Sequence, residues 1–318
     1  MEFKFKFNLG PAEQPGTGEA EQLPADPERR SETVKEHRVV WEELERILED
    51  GIVEEVEVGG PDPLCLRHLN VWAVERALSL QDRAEAGVSG AIARRSDLVS
   101  GVYEGGLKIW QCTFDLIEHL SGVDLEGRRV LDLGCGAGLL GIVALRRRAS
   151  EVHFQDYNPS VIDGVTLPNV ALNEEEKEEE EPPVKRRKAQ ASPPPEPKPL
   201  SRCRFFSGDW SRFGNVHGGS FKYDVILSSE TLYNPDSYGD LHDALSSLLA
   251  QDGVVYLATK SHYFGVGGGI HLFESFVKQK EVFYFQTVKV IDDGLQRCIA
   301  TMSFLQQGPM LLNRSLQN

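Results

Sequence analysis

Residues Arg129–Gly141, RVLDLGCGAGLLG, decide how this chain is read. An apolar pair, Val130 and Leu131, runs into an acid, Asp132, and then into a loop carrying Gly134, Gly136 and Gly138; a helix opens at Leu139. Glycine has no Cβ, so its backbone can approach a ligand closely, and a helix N-terminus points unpaired N–H groups outward. So many glycines in so short a stretch cost too much chain entropy for a plain turn. The stretch predicts a strand, a cradle for a nucleotide-like cofactor, and a helix.

Two cofactors compete for that cradle. Gly136, Gly138 and Gly141 satisfy GxGxxG, and Asp156 follows about twenty residues later, as a dinucleotide site requires. Asp132-Leu133-Gly134-Cys135-Gly136-Ala137-Gly138 also reads as DxGxGxG, the S-adenosylmethionine loop, in which the acid meets the ligand's amino group. A carboxylate inside the loop repels a pyrophosphate, which favours the methionine-derived cofactor.

Working outward, residues 1–32 are rich in Pro, Gly and Glu and predict a disordered tail. Its exception is Phe3, Phe5 and Phe7, alternating with Glu2, Lys4 and Lys6: either a one-sided strand able to add to a sheet edge or chance aromatics. Residues 33–101 read as an accessory lobe. Thr33 and Glu36 are spaced as a capping box for a helix lined by Val40, Leu44, Ile47 and Leu48 and stopped at Asp50-Gly51. Ile52–Val58 alternates as a half-buried strand, and Leu64–Leu80 adds apolar surface.

From Val102 to the end, helix and strand patterns alternate, the mark of a parallel sheet with crossovers. Strands are expected at Arg129–Leu133, Val152–Gln155, Cys203–Phe206, Tyr223–Ser228 and Val254–Ala258. A closing pair follows, Val282–Ile291 and Gln296–Leu305, turned at Asp293-Gly294. Helices are expected at Trp110–Leu120, Leu139–Arg147, Ser160–Leu172, Tyr238–Leu249 and Leu272–Lys280. The expected fold is α/β and Rossmann-like, a mostly parallel seven-stranded sheet with a C-terminal antiparallel hairpin. Residues 174–199 interrupt it with an acidic run, the cluster Lys185-Arg186-Arg187-Lys188 and a proline run, read as a disordered insert carrying a nuclear-import signal.

The net charge of −15 argues against general nucleic-acid binding and suits a basic protein partner. Apolar runs are too short for a membrane span, and MEFKFKFN lacks the apolar core of a signal peptide. The cysteines, five and scattered without CxxC spacing, point to a reducing compartment; no metal site is read from them or from the histidines. A monomer is expected.

Ligands of an open parallel sheet sit at the strands' carboxyl ends. Asp156 ends the second strand, where an acid can accept from two ribose hydroxyls. Gly208-Asp209-Trp210 follows the third, offering a carboxylate to an adenine amino group and an indole to its face. Ser228-Ser229-Glu230 ends the fourth, beside the reacting group. A dinucleotide site makes no matching demand on the third and fourth ends, so GxGxxG becomes the runner-up.

The segments GVYEGGLKIWQCTFDL (Gly101–Leu116), VLDLGCGAGLLGI (Val130–Ile142), FQDYNPSVID (Phe154–Asp163), FFSGDW (Phe205–Trp210), SSETLYNPDSY (Ser228–Tyr238) and HYFGVGGG (His262–Gly269) together resemble the vertebrate protein-histidine N-methyltransferases of the methyltransferase-like group, within the class I S-adenosylmethionine-dependent superfamily. That resemblance runs from Val102 to the C-terminus, with the FxFxF start also similar. It implies S-adenosylmethionine as cofactor, held by Ile109, Trp110, Gln111, Cys112, Thr113, Gly134, Asp156, Tyr157, Asn158, Gly208, Asp209, Trp210 and Ser228. The loop reading adds Asp132 and Gly136. It also implies methylation of the tele nitrogen of a histidine in a large-subunit ribosomal protein, and residence in cytosol, nucleus and nucleolus. Glu230-Thr231-Leu232-Tyr233 matches an acid-x-x-Tyr motif of related protein methyltransferases, many of which carry Asp first and modify lysine, which leaves lysine as the alternative acceptor. Glu230, with its neighbours, is the expected reader of the imidazole tautomer, and Tyr233, Asn234 and Trp110 the expected pocket walls. His262, ahead of a glycine run, is read as a surface residue.

Overall fold

The computed structural model describes residues 33–59, 63–80, 86–173, 199–219 and 221–305. The FxFxF segment, the acidic and proline runs and the Lys185–Lys188 cluster lie outside them.

The described chain runs β1 (Lys35–His37), α1 (Trp41–Asp50), β2 (Val53–Val58), β3 (Leu64–Leu69), α2 (Val71–Leu80), α3 (Ala86–Ala93) and α4 (Gln111–Leu120). It continues through β4 (Arg129–Leu133), α5 (Leu139–Arg146), β5 (Glu151–Asp156), α6 (Pro159–Val161), α7 (Leu167–Leu172), β6 (Cys203–Ser207) and α8 (Trp210–His217). Last come β7 (Tyr223–Ser229), α9 (Tyr238–Leu248), β8 (Leu249–Lys260), α10 (Ile270–Lys280), β9 (Phe283–Ile291) and β10 (Arg297–Phe304).

The main sheet has the order β1-β6-β5-β4-β7-β8-β10-β9. β6, β5, β4, β7 and β8 are mutually parallel; β10 pairs antiparallel with both β8 and β9. Strands covered on both faces read as unbroken apolar runs, and β4 shows why: Val130 packs into one core cluster and Leu131 and Leu133 into the other. The first cluster joins β5 to α4, α5 and α7, and the second joins β7 and β8 to α9 and α10. The chain order reverses beside β4, with β5 on one side and β7 on the other, so a crevice opens above the carboxyl end of β4.

All seven expected strands are present as β4 to β10, and three features differ. Thr33–Glu36 forms no capping box. Lys35–His37 instead pairs antiparallel with β6 as an eighth strand, Glu36 grips Arg204 at 2.9 and 3.0 Å, and α1 starts from Val40 without a side-chain cap. The bidentate ion pair and the free edge of β6 outcompete a local cap. The helix expected at 160–172 is broken by a wider π-type turn at Ile162–Thr166. There the Thr166 hydroxyl donates to Gly136 O at 2.7 Å and to Val161 O at 3.2 Å, so the irregular turn supports the glycine loop. Finally, β8 begins at Leu249, with a register shift opposite Tyr223–Val225. In the accessory region β2 and β3 pair as a separate hairpin whose backbone is held by Asn169 and Asn173 of the main fold, at 2.8 and 2.9 Å.

Candidate functional site

The glycine loop is held open by its own neighbours. Gly134, Gly136 and Gly138 all adopt positive φ, at 68°, 49° and 77°. A Cβ on Gly134 would stand 2.7 Å from the Thr231 methyl, and one on Gly141 2.2 Å from the Phe154 ring. Gly141 therefore lets α5 lie directly on β5. Several N–H groups of the loop and its helix are already committed. Gly141 N–H donates to Asp132 Oδ2 and Gly136 N–H to Asp156 Oδ2, both at 2.9 Å, while Cys135 N–H donates to Gln155 O at 2.8 Å. A pyrophosphate needs those N–H groups and no carboxylates beside them. These bonds weigh against the dinucleotide reading.

Above the loop is a cavity of about 1120 Å³. Among the expected residues its lining includes Ile109, Trp110, Thr113, Gly134, Gly136, Asp156, Tyr157, Asp209, Trp210, Glu230, Tyr233 and Asn234. Gln111, Cys112, Asp132, Asn158, Gly208 and Ser228 lie outside that lining. Cys112 and Ser228 are buried; Ser228 Oγ donates to Leu133 O at 2.7 Å and so ties β7 to the end of β4. Asp132 lies one layer below the loop, where burial pushes its carboxyl up to about 8 and Oδ1 has no hydrogen-bond partner among the described residues. Asn158 holds the segment that closes the cavity: its Nδ2 donates to Val102 O at 2.8 Å, while Tyr157 donates to Gly101 O at 3.0 Å. Asp156 sits beneath Gly106, and burial raises its carboxyl to about 6 against the lowering effect of backbone N–H donors from Gly136, Asn158 and Tyr157.

At the end of β7, Glu230 adopts φ 59°, a left-handed conformation rarely held by a residue with a side chain. Its N–H donates to Ala258 O at 2.9 Å, which fixes the turn. The carboxylate is buried yet lines the cavity. Oε2 accepts from the Tyr263 hydroxyl at 2.5 Å and faces Lys260 Nζ at 3.3 Å; Oε1 is buried with no hydrogen-bond partner among the described residues. The Lys260 ammonium also lies 5.2 Å from the ring centroid of Trp110. Glu104, also in the lining, accepts from the Tyr233 hydroxyl and from Gly101 N–H, and burial raises its carboxyl. Asn234 Nδ2 donates to Ser100 Oγ at 3.3 Å, a second tie between the acid-x-x-Tyr segment and the loop at 100–106.

Glu104, Lys260 and Tyr263 were not among the expected site residues. Tyr263 follows His262 directly, and it is the tyrosine, not the exposed histidine, that reaches the site. The glycine run after it serves close packing, because a Cβ on Gly268 would stand 2.2 Å from Tyr233 O. Glu104, Asp156, Asp209, Glu230, Asp236 and Asp240 line the cavity against Lys108, itself ion-paired to Asp97. Such a lining suits a cationic ligand.

The methyltransferase domain family matches residues 110–293. The chain is 45% identical to the histidine protein methyltransferase 1 homolog of Bos taurus over 277 residues, covering 85% of this chain and 72% of that protein. It is 46% identical to the Mus musculus homolog over the same length, covering 85% and 74%. The chain belongs to the histidine protein methyltransferase 1 family. Among solved structures, magnesium protoporphyrin IX methyltransferase from Synechocystis PCC 6803 with bound SAM is 14% identical, with a TM-score of 0.41, covering 59% of this chain and 76% of that one. The methyl donor expected from the sequence is S-adenosylmethionine. The residues present fit it: an acidic cavity and glycines whose Cβ atoms would crowd the loop.

Proposed function

We propose that this methyltransferase modifies the tele nitrogen of a histidine in a large-subunit ribosomal protein, and through it influences ribosome assembly or translation elongation. Support for a histidine acceptor comes from the family to which the chain belongs. The ribosomal target follows from the sequence resemblance, and the acidic cavity suits a basic protein chain. The observation that carries the proposal is Glu230 at the end of β7, a cavity-lining acid whose Oε1 is buried with no hydrogen-bond partner among the described residues.

Bound S-adenosylmethionine supplies an electrophilic methyl group on a sulfonium. Transfer is an in-line displacement, so holding the acceptor in place provides much of the rate. An imidazole has a reference pKa of about 6.5 and is already a nucleophile at neutral pH, so the protein needs to select its tautomer rather than remove a proton beforehand. Glu230 Oε1 accepts the pros N–H, leaving the tele lone pair free to attack. When the tele nitrogen takes the methyl group the ring becomes cationic, and the same oxygen holds the remaining N–H. Tyr263 and Lys260 fix the carboxylate through Oε2. Trp110, Tyr233 and Asn234 line the pocket, and Asp156, Asp209 and Trp210, in the same lining, would hold the cofactor's nucleoside.

Residence in cytosol and nucleus, including the nucleolus, is part of the proposal, with Lys185-Arg186-Arg187-Lys188 as the element an import receptor would read. Labelled S-adenosylmethionine incubated with the protein and large-subunit ribosomal proteins tests the reaction. Label on one basic ribosomal protein is expected, and its absence from all of them removes the proposal.

A further inference from the structure

Outside the cavity, three side chains from distant parts of the chain form a closed relay. His37 Nδ1–H donates to Asp163 Oδ1 at 2.6 Å, which leaves Nε2 to accept from Ser207 Oγ–H at 2.8 Å. The order acid, imidazole, hydroxyl matches that of a hydrolytic triad, but Ser207 is 2% exposed, so no acyl substrate can reach it. His37 and Ser207 are both buried, and Asp163 supplies the outer end.

Position gives the relay its meaning. His37 ends β1, the outermost strand, whose pairing runs Lys35↔Ser207, Glu36↔Phe206 and His37↔Phe205. Ser207 ends β6 and leads into Gly208, whose φ of 135° excludes a side chain without strain. A Cβ there would stand 3.2 Å from Val34 Cα and 3.3 Å from Thr33 O, so the chain entering β1 lies directly on this glycine. Gln155 holds the other side of the turn: its Nε2 donates to Gly208 O at 2.8 Å, and its Oε1 accepts from Trp210 Nε1 at 3.1 Å. The next two residues, Asp209 and Trp210, line the cavity.

We propose that β1 is a strap that sets the Gly208–Trp210 turn from outside, and that His37 is a positioning residue for S-adenosylmethionine acting through Ser207. The accessory region thereby contributes to cofactor affinity without touching the cofactor. This rests on the assignment of Asp209 and Trp210 to the cofactor, and Trp210→Ala separates the two ideas.

The test is calorimetric binding of S-adenosylmethionine to the full chain, with turnover measured at saturating cofactor. Loss of the buried hydrogen bonds in His37→Leu is expected to weaken cofactor binding about tenfold. Turnover at saturating cofactor should stay within about twofold, because the reacting end of the site is untouched. His37→Gln, which keeps a donor and an acceptor, should recover most of the affinity. A folded His37→Leu protein with undiminished affinity, or one that loses turnover alone, overturns the proposal. Should His37→Leu fail to fold, Ser207→Ala decides: about threefold weaker binding supports the strap, and unchanged binding refutes it. If Trp210→Ala leaves affinity intact, the turn's assignment fails and the strap with it; if Trp210→Ala weakens binding and His37→Leu does not, the strap alone fails.

Discussion

The Tyr263 hydroxyl donates to one carboxylate oxygen of Glu230, a cavity-lining residue, at 2.5 Å, and the other oxygen is buried with no hydrogen-bond partner among the described residues. A buried polar atom without a partner is costly in a folded protein and signals a role. Here the cost is accompanied by a strained backbone, since Glu230 holds φ 59° at the end of β7.

Glu230→Gln should keep cofactor binding and lose turnover by about 100-fold or more, the range of a lost proton-holding group. Calorimetry with S-adenosylmethionine beside single-turnover assays separates the two. Unchanged turnover would eliminate the role of Glu230. Tyr263→Phe should show a smaller loss in the same direction, about 3- to 10-fold, because Lys260 still faces the carboxylate.

Asp132→Ala should abolish measurable cofactor binding. The substitution removes the acceptor of Gly141 N–H, a buried bond whose loss costs about 1–3 kcal/mol. It also removes the buried carboxyl group beneath the loop, so the effect reaches the cofactor through the loop rather than by contact. A normal calorimetric affinity in a folded Asp132→Ala protein would sink the loop assignment.

Asp156 gives a pH dependence. Burial raises its carboxyl from the ordinary 3.8 to about 6 in the folded protein, so the unfolded chain gives up this proton at lower pH than the folded one. The contribution to stability is therefore fully present below about pH 4 and is lost as pH rises through about 6. Ribose hydroxyls need the ionised acceptor, so cofactor affinity should run the other way, rising as pH passes from 5 to 7, about pH 6 being the midpoint. Asp156→Asn should flatten both curves in thermal melts and binding titrations. A wild-type affinity flat across that range would contradict the assignment.

Two glycines of the loop should fail differently. Gly141→Ala pushes a methyl into the Phe154 ring and should destabilise the fold by about 1–3 kcal/mol, read as a drop in melting temperature. Gly134→Ala strains a positive φ and crowds Thr231 at the cavity wall, so its main effect should be on cofactor affinity.

The parallel strands were legible because burial on both faces writes them as apolar runs, as in Tyr223–Ser229. β1 was not, because Lys-Glu-His carries no strand pattern, and the Thr33–Glu36 spacing suggests a helix cap instead. What makes it a strand is the unpaired edge of β6, which is 166 residues away between Glu36 and Arg202, the residue before β6. The site divides in the same way. Strand ends announce Asp156, Asp209 and Glu230, since each follows an apolar run. Glu104 reaches the cavity from the loop at 100–106, while Lys260 and Tyr263 touch Glu230 from β8 and the segment after it, and no local spacing marks any of them.

The most direct measurement of the central claim is tandem mass spectrometry of a large-subunit ribosomal protein after incubation with this enzyme and labelled S-adenosylmethionine, with tele- and pros-methylhistidine resolved by chromatography. The predicted result is a single methyl group on the tele nitrogen of one histidine, absent with Glu230→Gln. A methyl group on lysine, or on the pros nitrogen, would contradict the account.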